Sequence, residues 1–230
     1  MMTRFLFVII LFSAFASAQT GAVGPLDEAP TRPSQPVAMP TAKDQTQFTQ
    51  EFGFWGGYAP TSTIAIGVTH DRRLFTLNGK YSIVVLNSEH TSLRWVSEVV
   101  PIAVLHQPTE QFFNSIANAV QTQQSNTRYA FGVTPLGLQF NMLRHRKVQP
   151  FADIHAGLLY FNENVPVPTA RRFNFTFNFG AGVEIFTTDR GAMTVGFKYH
   201  HISNNETAPA NPGVDSPMAY VGYSWYKRHR

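Results

Sequence analysis

The sequence contains no cysteine, and beyond its N-terminal segment it contains no long uninterrupted apolar run. The missing cysteine excludes a disulfide framework and a lipid-anchored N-terminal cysteine. A transmembrane helix needs about 20 consecutive apolar residues, so none is expected after the first 20 positions. The sequence also lacks a glycine-rich phosphate loop, and the histidines outside residues 200–201 lack metal-ligand spacing. We therefore expect neither a metal nor a cofactor.

Basic residues exceed acidic ones only slightly, with 18 Lys and Arg against 14 Asp and Glu and a net charge of +4. They are scattered over the turns and strand ends of the predicted fold and do not form a cluster. A nucleic-acid surface concentrates basic side chains in one patch, so we expect no nucleic-acid partner.

The N-terminus has the three parts of a secretory signal peptide. Arg4 supplies the positive charge, residues 5–16 are largely apolar, and Ala16-Ser17-Ala18 is a small-x-small cleavage site. We assign residues 1–18 to a cleaved signal peptide, which predicts export. Residues 19–47 contain five prolines and few large apolar side chains, so we expect a flexible segment without a packed core.

From Phe48 onward the sequence alternates apolar and polar residues with period two, which is the signature of β-strands. The clearest example is the series Phe173, Phe175, Phe177 and Phe179, whose intervening residues are polar. We therefore assign residues 48–230 to one all-β domain.

The lengths of the connections distinguish a barrel from a β-sandwich. Eight strands are predicted at 48–59, 71–86, 91–105, 127–143, 148–161, 172–187, 192–203 and 218–227. The seven connections between them are 11, 4, 21, 4, 10, 4 and 14 residues long, so long and short alternate. Outer-membrane barrels have short periplasmic turns and longer outer loops, whereas a sandwich has no reason to sort its loops in this way. The prediction is an eight-stranded antiparallel transmembrane β-barrel in the bacterial outer membrane.

The seventh predicted strand carries a histidine and a serine on its apolar face. His201 and Ser203 continue the alternation of Met193, Val195 and Phe197, which should face lipid. With the N-terminus in the periplasm, odd strands run outward, so both side chains should lie at the outer leaflet. Residues two apart on a strand face are about 6.5–7 Å apart at their Cα atoms, and their side chains can meet as nucleophile and base. His200 should point into the barrel interior.

Polar residues after this pair could complete a catalytic group. Asn204 follows the serine, Asn211 lies in the loop, and Asp215 opens the return strand. An antiparallel neighbour can bring Asp215 alongside His201, where a carboxylate would fix the imidazole tautomer.

The segments Tyr199-His200-His201-Ile202-Ser203-Asn204 and Asn211-Pro212-Gly213-Val214-Asp215 resemble those of the outer-membrane lipid A 3-O-deacylases, the PagL-type family that is often grouped with acyloxyacyl hydrolases. That family is an eight-stranded barrel with a His-x-Ser-Asn motif and an acid 14 residues after the histidine. The agreement extends over residues 48–227 and leaves out residues 19–47. Type members carry glutamate at the place of Asp215, which is a departure in this chain.

The resemblance implies a role for each of these residues. Ser203 would be the nucleophile, His201 the general base and then acid, and Asp215 the orienting carboxylate, with Glu206 as a nearby substitute. Asn211 would serve the oxyanion hole, assisted by backbone N–H groups near Asn205 and Glu206, while Asn204 would support the site.

The sequence thus predicts a hydrolase that removes an ester-linked acyl chain from lipid A, by 3-O-deacylation of lipopolysaccharide in the outer leaflet. Two alternatives stay open, namely a non-enzymatic barrel that serves as anchor or adhesin, and a phospholipid esterase of the same architecture. Apolar residues at helix-like spacing between Phe112 and Val120 are compatible with a short helix in the longest outer loop or with an irregular loop.

Overall fold

The computed structural model describes residues 48–114 and 117–228. The expected signal peptide and the proline-rich segment lie outside these residues. Within the described ranges, no helix is long and apolar enough to cross a membrane.

The described chain folds into a closed antiparallel barrel and one separate hairpin. The strands are β1 (Phe48–Ala59), β2 (Arg73–Asn87), β3 (Thr91–Gln107), β4 (Glu110–Asn114), β5 (Ala119–Gln123), β6 (Asn126–Met142), β7 (Val148–Val165), β8 (Arg171–Thr188), β9 (Gly191–Ser203) and β10 (Val214–Arg228). Eight of these strands close the barrel in the order β1-β10-β9-β8-β7-β6-β3-β2, and β4 pairs only with β5. The predicted eight-stranded barrel is confirmed.

Strand bounds differ from the prediction mainly at the outer end. β10 begins at Val214 rather than at Met218, because residues 214–217 continue the ladder with β9. β7 extends to Val165, so its connection to β8 is reduced to residues 166–170 and is no longer than the turn 143–147, which was expected on the periplasmic side. The alternation of long and short connections therefore holds throughout, except that the connections 143–147 and 166–170 have the same length.

The longest outer connection contains the hairpin β4–β5, so the helix considered there is wrong. Its turn is stabilised locally, because the Asn114 side chain accepts a hydrogen bond from the Ala117 N–H at 3.1 Å. Asn118 adopts a left-handed backbone with φ 46°, which asparagine tolerates better than most residues. These asparagines favour a tight turn between two short strands.

The outer wall of the barrel is apolar and the interior is polar. On β9, Phe197 is 55% exposed whereas the adjacent Lys198 is only 2% exposed. The four phenylalanines from Phe173 to Phe179 are likewise exposed on β8, and the asparagines and threonine between them are buried. An apolar wall around a polar interior is the arrangement of a barrel that spans a membrane.

Charged side chains fill the interior and pair with one another. The Glu51 carboxylate contacts Lys80 Nζ and Arg94 Nη1, both at 2.7 Å, and accepts hydrogen bonds from two serine hydroxyls. Asp153 Oδ2 lies 2.9 Å from Lys198 Nζ. Buried charges are tolerated when they are paired and hydrogen-bonded, and eight strands leave room only for such a packed interior.

Candidate active site

His201 and Ser203 lie near the end of β9 on the outer wall of the barrel. The β9 alternation is unbroken, with Val195 and Phe197 exposed, His200 and Ile202 buried, and His201 and Ser203 partly exposed. The expected orientation is therefore found, since the imidazole and the hydroxyl share the lipid-facing side and His200 faces the interior. Ser203 Oγ forms no hydrogen bond to any described residue.

The β9–β10 register brings Asp215 directly opposite His201. Asp215 Oδ1 lies 2.6 Å from His201 Nδ1, a distance typical of a charge-assisted hydrogen bond. With the Nδ1 proton donated to the carboxylate, Nε2 becomes the unprotonated nitrogen that can accept a proton. This pair requires β10 to begin before residue 215, which is why the early start of the strand matters.

The second carboxylate oxygen of Asp215 is held by loop 1, the connection of residues 60–72 between β1 and β2. Asp215 Oδ2 accepts hydrogen bonds from the N–H groups of Ala65 at 3.1 Å, Ile66 at 2.7 Å and Gly67 at 2.7 Å. Three successive backbone amides around one anion form a nest. Asp215 has no exposed surface, and these bonds compensate for the loss of water around its charge.

Asn211 and Asn204 organise the loop that connects β9 to β10. Asn211 Oδ1 accepts the N–H of Asn204 at 2.9 Å, and Asn204 Nδ2 donates to the Ala210 carbonyl at 2.7 Å. Asn204 is buried. The Asn211 Nδ2 group donates no hydrogen bond to any described residue, so its two protons are available to a ligand.

Asn205 and Glu206 lie in the connection that follows β9. Both side chains are exposed, and both residues adopt left-handed backbones with φ 52° and 59°. The carboxylate that contacts His201 belongs to Asp215, and Glu206 does not take that place.

Arg72 connects loop 1 to the long outer connection. Its buried guanidinium donates to Gln107 Oε1 at 3.1 Å and to the His70 carbonyl at 3.1 Å, and it forms an ion pair with Glu110. Burial lowers the pKa of Arg72, while the Glu110 carboxylate opposes that shift.

Sequence reasoning located the paired side chains but missed the amide nest. Residues 63–69 read Thr-Ile-Ala-Ile-Gly-Val-Thr, and nothing in their side chains indicates an anion site. The donors are backbone groups, which every residue except proline carries. The structure shows why a glycine stands at position 67, because a Cβ there would lie 2.8 Å from the Gly213 carbonyl carbon.

Comparison with solved structures gives several matches that cover most of this chain. The crystal structure of the outer membrane enzyme PagL matches 75% of this chain and 97% of its own, with 12% identity and a TM-score of 0.53. Neisserial surface protein A matches 77% of this chain and 97% of its own, with 12% identity and a TM-score of 0.49. For Ail, the attachment invasion locus protein of Yersinia pestis, the coverages are 77% and 99%, the identity 15% and the TM-score 0.37. At 12% identity the likeness to PagL concerns the fold alone.

Sequence comparison gives a more specific result. No curated protein sequence matches this chain significantly. The family model of the lipid A 3-O-deacylases, PagL, matches residues 90–224, which include the His201 to Asp215 segment and more than half of the sequence. The chain belongs to the lipid A 3-O-deacylase (PagL) family of outer-membrane β-barrels.

Proposed function

We propose that this barrel hydrolyses an ester-linked acyl chain of lipid A, with Ser203 as nucleophile, His201 as base and Asp215 as orienting acid. The observation that carries the proposal is the 2.6 Å contact between His201 Nδ1 and Asp215 Oδ1 on the outer wall, with Ser203 on the same strand face. Membership of the deacylase family supports the substrate class.

The reaction proceeds through an acyl-enzyme. Ser203 Oγ attacks the ester carbonyl while His201 Nε2 takes its proton, and a tetrahedral oxyanion forms. The intermediate collapses as the imidazolium returns the proton to the sugar alkoxide that leaves. Water, deprotonated by His201, then attacks the Ser203 ester and releases the fatty acid, which restores the hydroxyl.

Asn211 is the side-chain donor best suited to the oxyanion. Its Oδ1 is occupied by the Asn204 N–H, which orients the amide and leaves Nδ2 free to donate. One donor of this kind lowers the barrier by roughly 2.7–4 kcal/mol in a serine protease. We assign Asn204, with a supporting contribution from Asn205, to the geometry of the loop that carries this donor.

The location of the site suits a substrate that stays in the membrane. His201 and Ser203 follow Val195 and Phe197 on one lipid-facing line, so an acyl chain in the outer leaflet can reach them from the side. Lipopolysaccharide of the outer leaflet is therefore the proposed partner, and this mechanism requires no cofactor.

The test is incubation of the purified, folded barrel with lipopolysaccharide, followed by mass spectrometry of lipid A. We expect loss of one ester-linked acyl chain with the wild type and none with Ser203→Ala or His201→Ala. The matched control is Ser97→Ala on β3, because this serine lies outside the site. Full activity of Ser203→Ala would contradict the mechanism.

The same assay separates the alternatives. A phospholipid esterase would release fatty acid from phospholipid vesicles that lack lipopolysaccharide. An anchor or adhesin would leave both lipids intact, and neither Ser203→Ala nor His201→Ala would alter its binding.

A further inference from the structure

Loop 1 carries an exposed aliphatic surface beside the proposed active site. Ile64, Ile66 and Val68 are 65%, 62% and 62% exposed, and we call these three side chains the aliphatic ridge. Branched aliphatic side chains cannot form hydrogen bonds, so a cluster of them on a loop marks a surface that meets something apolar.

The ridge and the amide nest are parts of one short segment. The Ile66 N–H donates to Asp215 Oδ2 at 2.7 Å while the Ile66 side chain remains exposed. Ala65 and Gly67 on either side donate to the same oxygen. A contact made by the ridge therefore bears on the same backbone segment that binds the Asp215 carboxylate.

The segment is fixed to the barrel wall rather than free. The Thr63 N–H donates to the Asp215 carbonyl at 2.9 Å, and the Val68 N–H donates to the Pro212 carbonyl at 2.7 Å. The Thr69 hydroxyl donates to the Gly213 carbonyl at 2.6 Å. These bonds attach both ends of the ridge to β10 and the loop before it.

The lack of charge in the segment that carries the ridge indicates which kind of partner the ridge contacts. Residues 61–69 contain no charged side chain, so they offer no charge that could pair with the phosphates of a headgroup or with a charged protein surface. The segment is attached through Asp215 to the outer wall, where Phe197 and Val195 already face lipid. Because loop 1 is hydrogen-bonded to β10, the strand beside this lipid-facing wall, we infer that the ridge meets hydrocarbon as well.

We propose that the aliphatic ridge of loop 1 binds acyl chains of outer-leaflet lipid and that its backbone positions Asp215 for catalysis. The loop is thus both a lipid contact and the support of the catalytic acid. The catalytic half of this inference rests on the proposed function, whereas the lipid-contact half does not.

Lipid contact can be measured without any enzymatic assay. The chain has no cysteine, so single nitroxide labels at Ile64→Cys and Ile66→Cys are unambiguous. In phospholipid vesicles that contain lipopolysaccharide, we expect both labels to be more accessible to oxygen than to a water-soluble nickel complex. Phe197→Cys on the outer wall is the lipid reference, and Glu89→Cys in a periplasmic turn is the water reference. Accessibilities equal to those at Glu89 would overturn the contact.

Activity separates the two roles of the loop. Ile64→Ser combined with Val68→Ser removes two of the three ridge side chains and leaves the nest residues Ala65, Ile66 and Gly67 unchanged. We expect kcat/KM for lipopolysaccharide in vesicles to fall by about tenfold or more, because binding energy remote from the reacting bond is lost. Turnover of a water-soluble short-chain p-nitrophenyl ester should fall much less, because this substrate has no long acyl chain for the ridge to bind. The matched control, Val85→Ser with Leu86→Ser, removes two exposed aliphatic side chains near the periplasmic end.

Gly67→Ala tests the positioning role. A Cβ at this position would lie 2.8 Å from the Gly213 carbonyl carbon, so the nest must shift away from Asp215. We expect kcat to fall for both substrates with little change in KM for the soluble ester. Gly56→Ala is the control, since a Cβ there meets only the Thr76 carbonyl at 3.8 Å.

The variants test the two roles of loop 1 separately. Wild-type kcat in Gly67→Ala would overturn the positioning role, and an equal loss on both substrates in the double serine variant would overturn the acyl-chain contact. If the wild type leaves lipopolysaccharide intact while the labels report hydrocarbon, the proposed function fails and the lipid contact stands.

Discussion

Gly213 packs closely against the imidazole of His201. A Cβ built on Gly213 would sit 3.1 Å from His201 Cε1 and 3.0 Å from the Cα of Gly67 in loop 1. The glycine also has φ 64°, in the left-handed region that other residues rarely adopt. The close approach of the histidine, the loop and β10 therefore depends on a residue without a side chain.

Replacing this glycine should misplace the base. In Gly213→Ala we expect kcat to fall by at least about tenfold, because small displacements of catalytic groups are costly. The left-handed backbone should lower the free energy of unfolding by about 1–2 kcal/mol. Single-turnover kinetics and urea unfolding in detergent measure the two effects, with Gly56→Ala as the control. Unchanged kcat in a folded Gly213→Ala barrel would contradict this account.

Asp215→Asn should abolish most of the activity while preserving the loop. The amide oxygen can still accept from the N–H groups of Ile66 and Gly67, but its NH2 group cannot accept the His201 Nδ1 proton. The imidazole then loses its tautomer control, and the same change in a protease triad lowers kcat by roughly 10⁴-fold. Lipid A mass spectrometry and the soluble ester assay both report this loss.

Asp215→Glu tests whether the nest is built for the shorter side chain. Glutamate occupies this place in the family's type members, yet here Oδ2 is already within 2.7 Å of two amides. An added methylene must push the carboxylate against loop 1 or against His201. We expect kcat between those of the wild type and Asp215→Asn, and activity equal to the wild type would show that the loop adapts.

The role of Asn211 as an oxyanion donor can be tested with two variants. One keeps the oxygen that accepts the Asn204 N–H, and the other removes it. Asn211→Asp keeps an oxygen to accept the Asn204 N–H but loses the Nδ2 donor and adds negative charge where the oxyanion develops. Asn211→Ala loses both. If Asn211 stabilises the oxyanion, both variants should lower kcat by about 10²–10³-fold, as for a protease oxyanion-hole donor. Full kcat in Asn211→Asp would limit the residue to its structural role.

The interior network predicts a stability effect remote from the site. Lys198→Met leaves Asp153 buried without its ammonium partner, which costs about 3–5 kcal/mol when one member of a buried pair is removed. The double variant Lys198→Met with Asp153→Leu should recover most of this loss, because no unpaired charge remains. Urea unfolding in detergent micelles, followed by tryptophan fluorescence, measures both. A stable single variant would mean that water or His155 compensates.

Period-two alternation together with the connection lengths was sufficient to predict the barrel, and the alternation alone predicted the facing of β9. Each residue of β9 from Met193 to Ser203 has a face that follows from parity alone, and the pairing of Asp215 with His201 follows from strand adjacency. The first residue of β10 was harder to predict from the sequence. Pro217 cannot donate a ladder hydrogen bond, which argues against a strand at this position, and yet it lies within β10 opposite Tyr199.

Other features depend on contacts that a local pattern does not encode. The nest around Asp215 consists of backbone N–H groups nearly 150 positions away in sequence, and their location depends on how loop 1 folds over β10. The hairpin of β4 and β5 could not be predicted from alternation, because its apolar residues occur as adjacent pairs and not with a period of two.

The ion pairs that Glu51 forms with Lys80 and Arg94 fill the barrel interior. This filling determines which substrate concentration would set the reaction rate of an enzyme whose active site lies on the outer wall. Neither a lipid nor a released fatty acid can pass through a plugged lumen, so all exchange takes place in two dimensions. The rate should then follow the mole fraction of lipopolysaccharide in the leaflet instead of its bulk molarity. Diluting the vesicles with buffer should leave turnover unchanged, whereas diluting the leaflet with inert phospholipid should slow it.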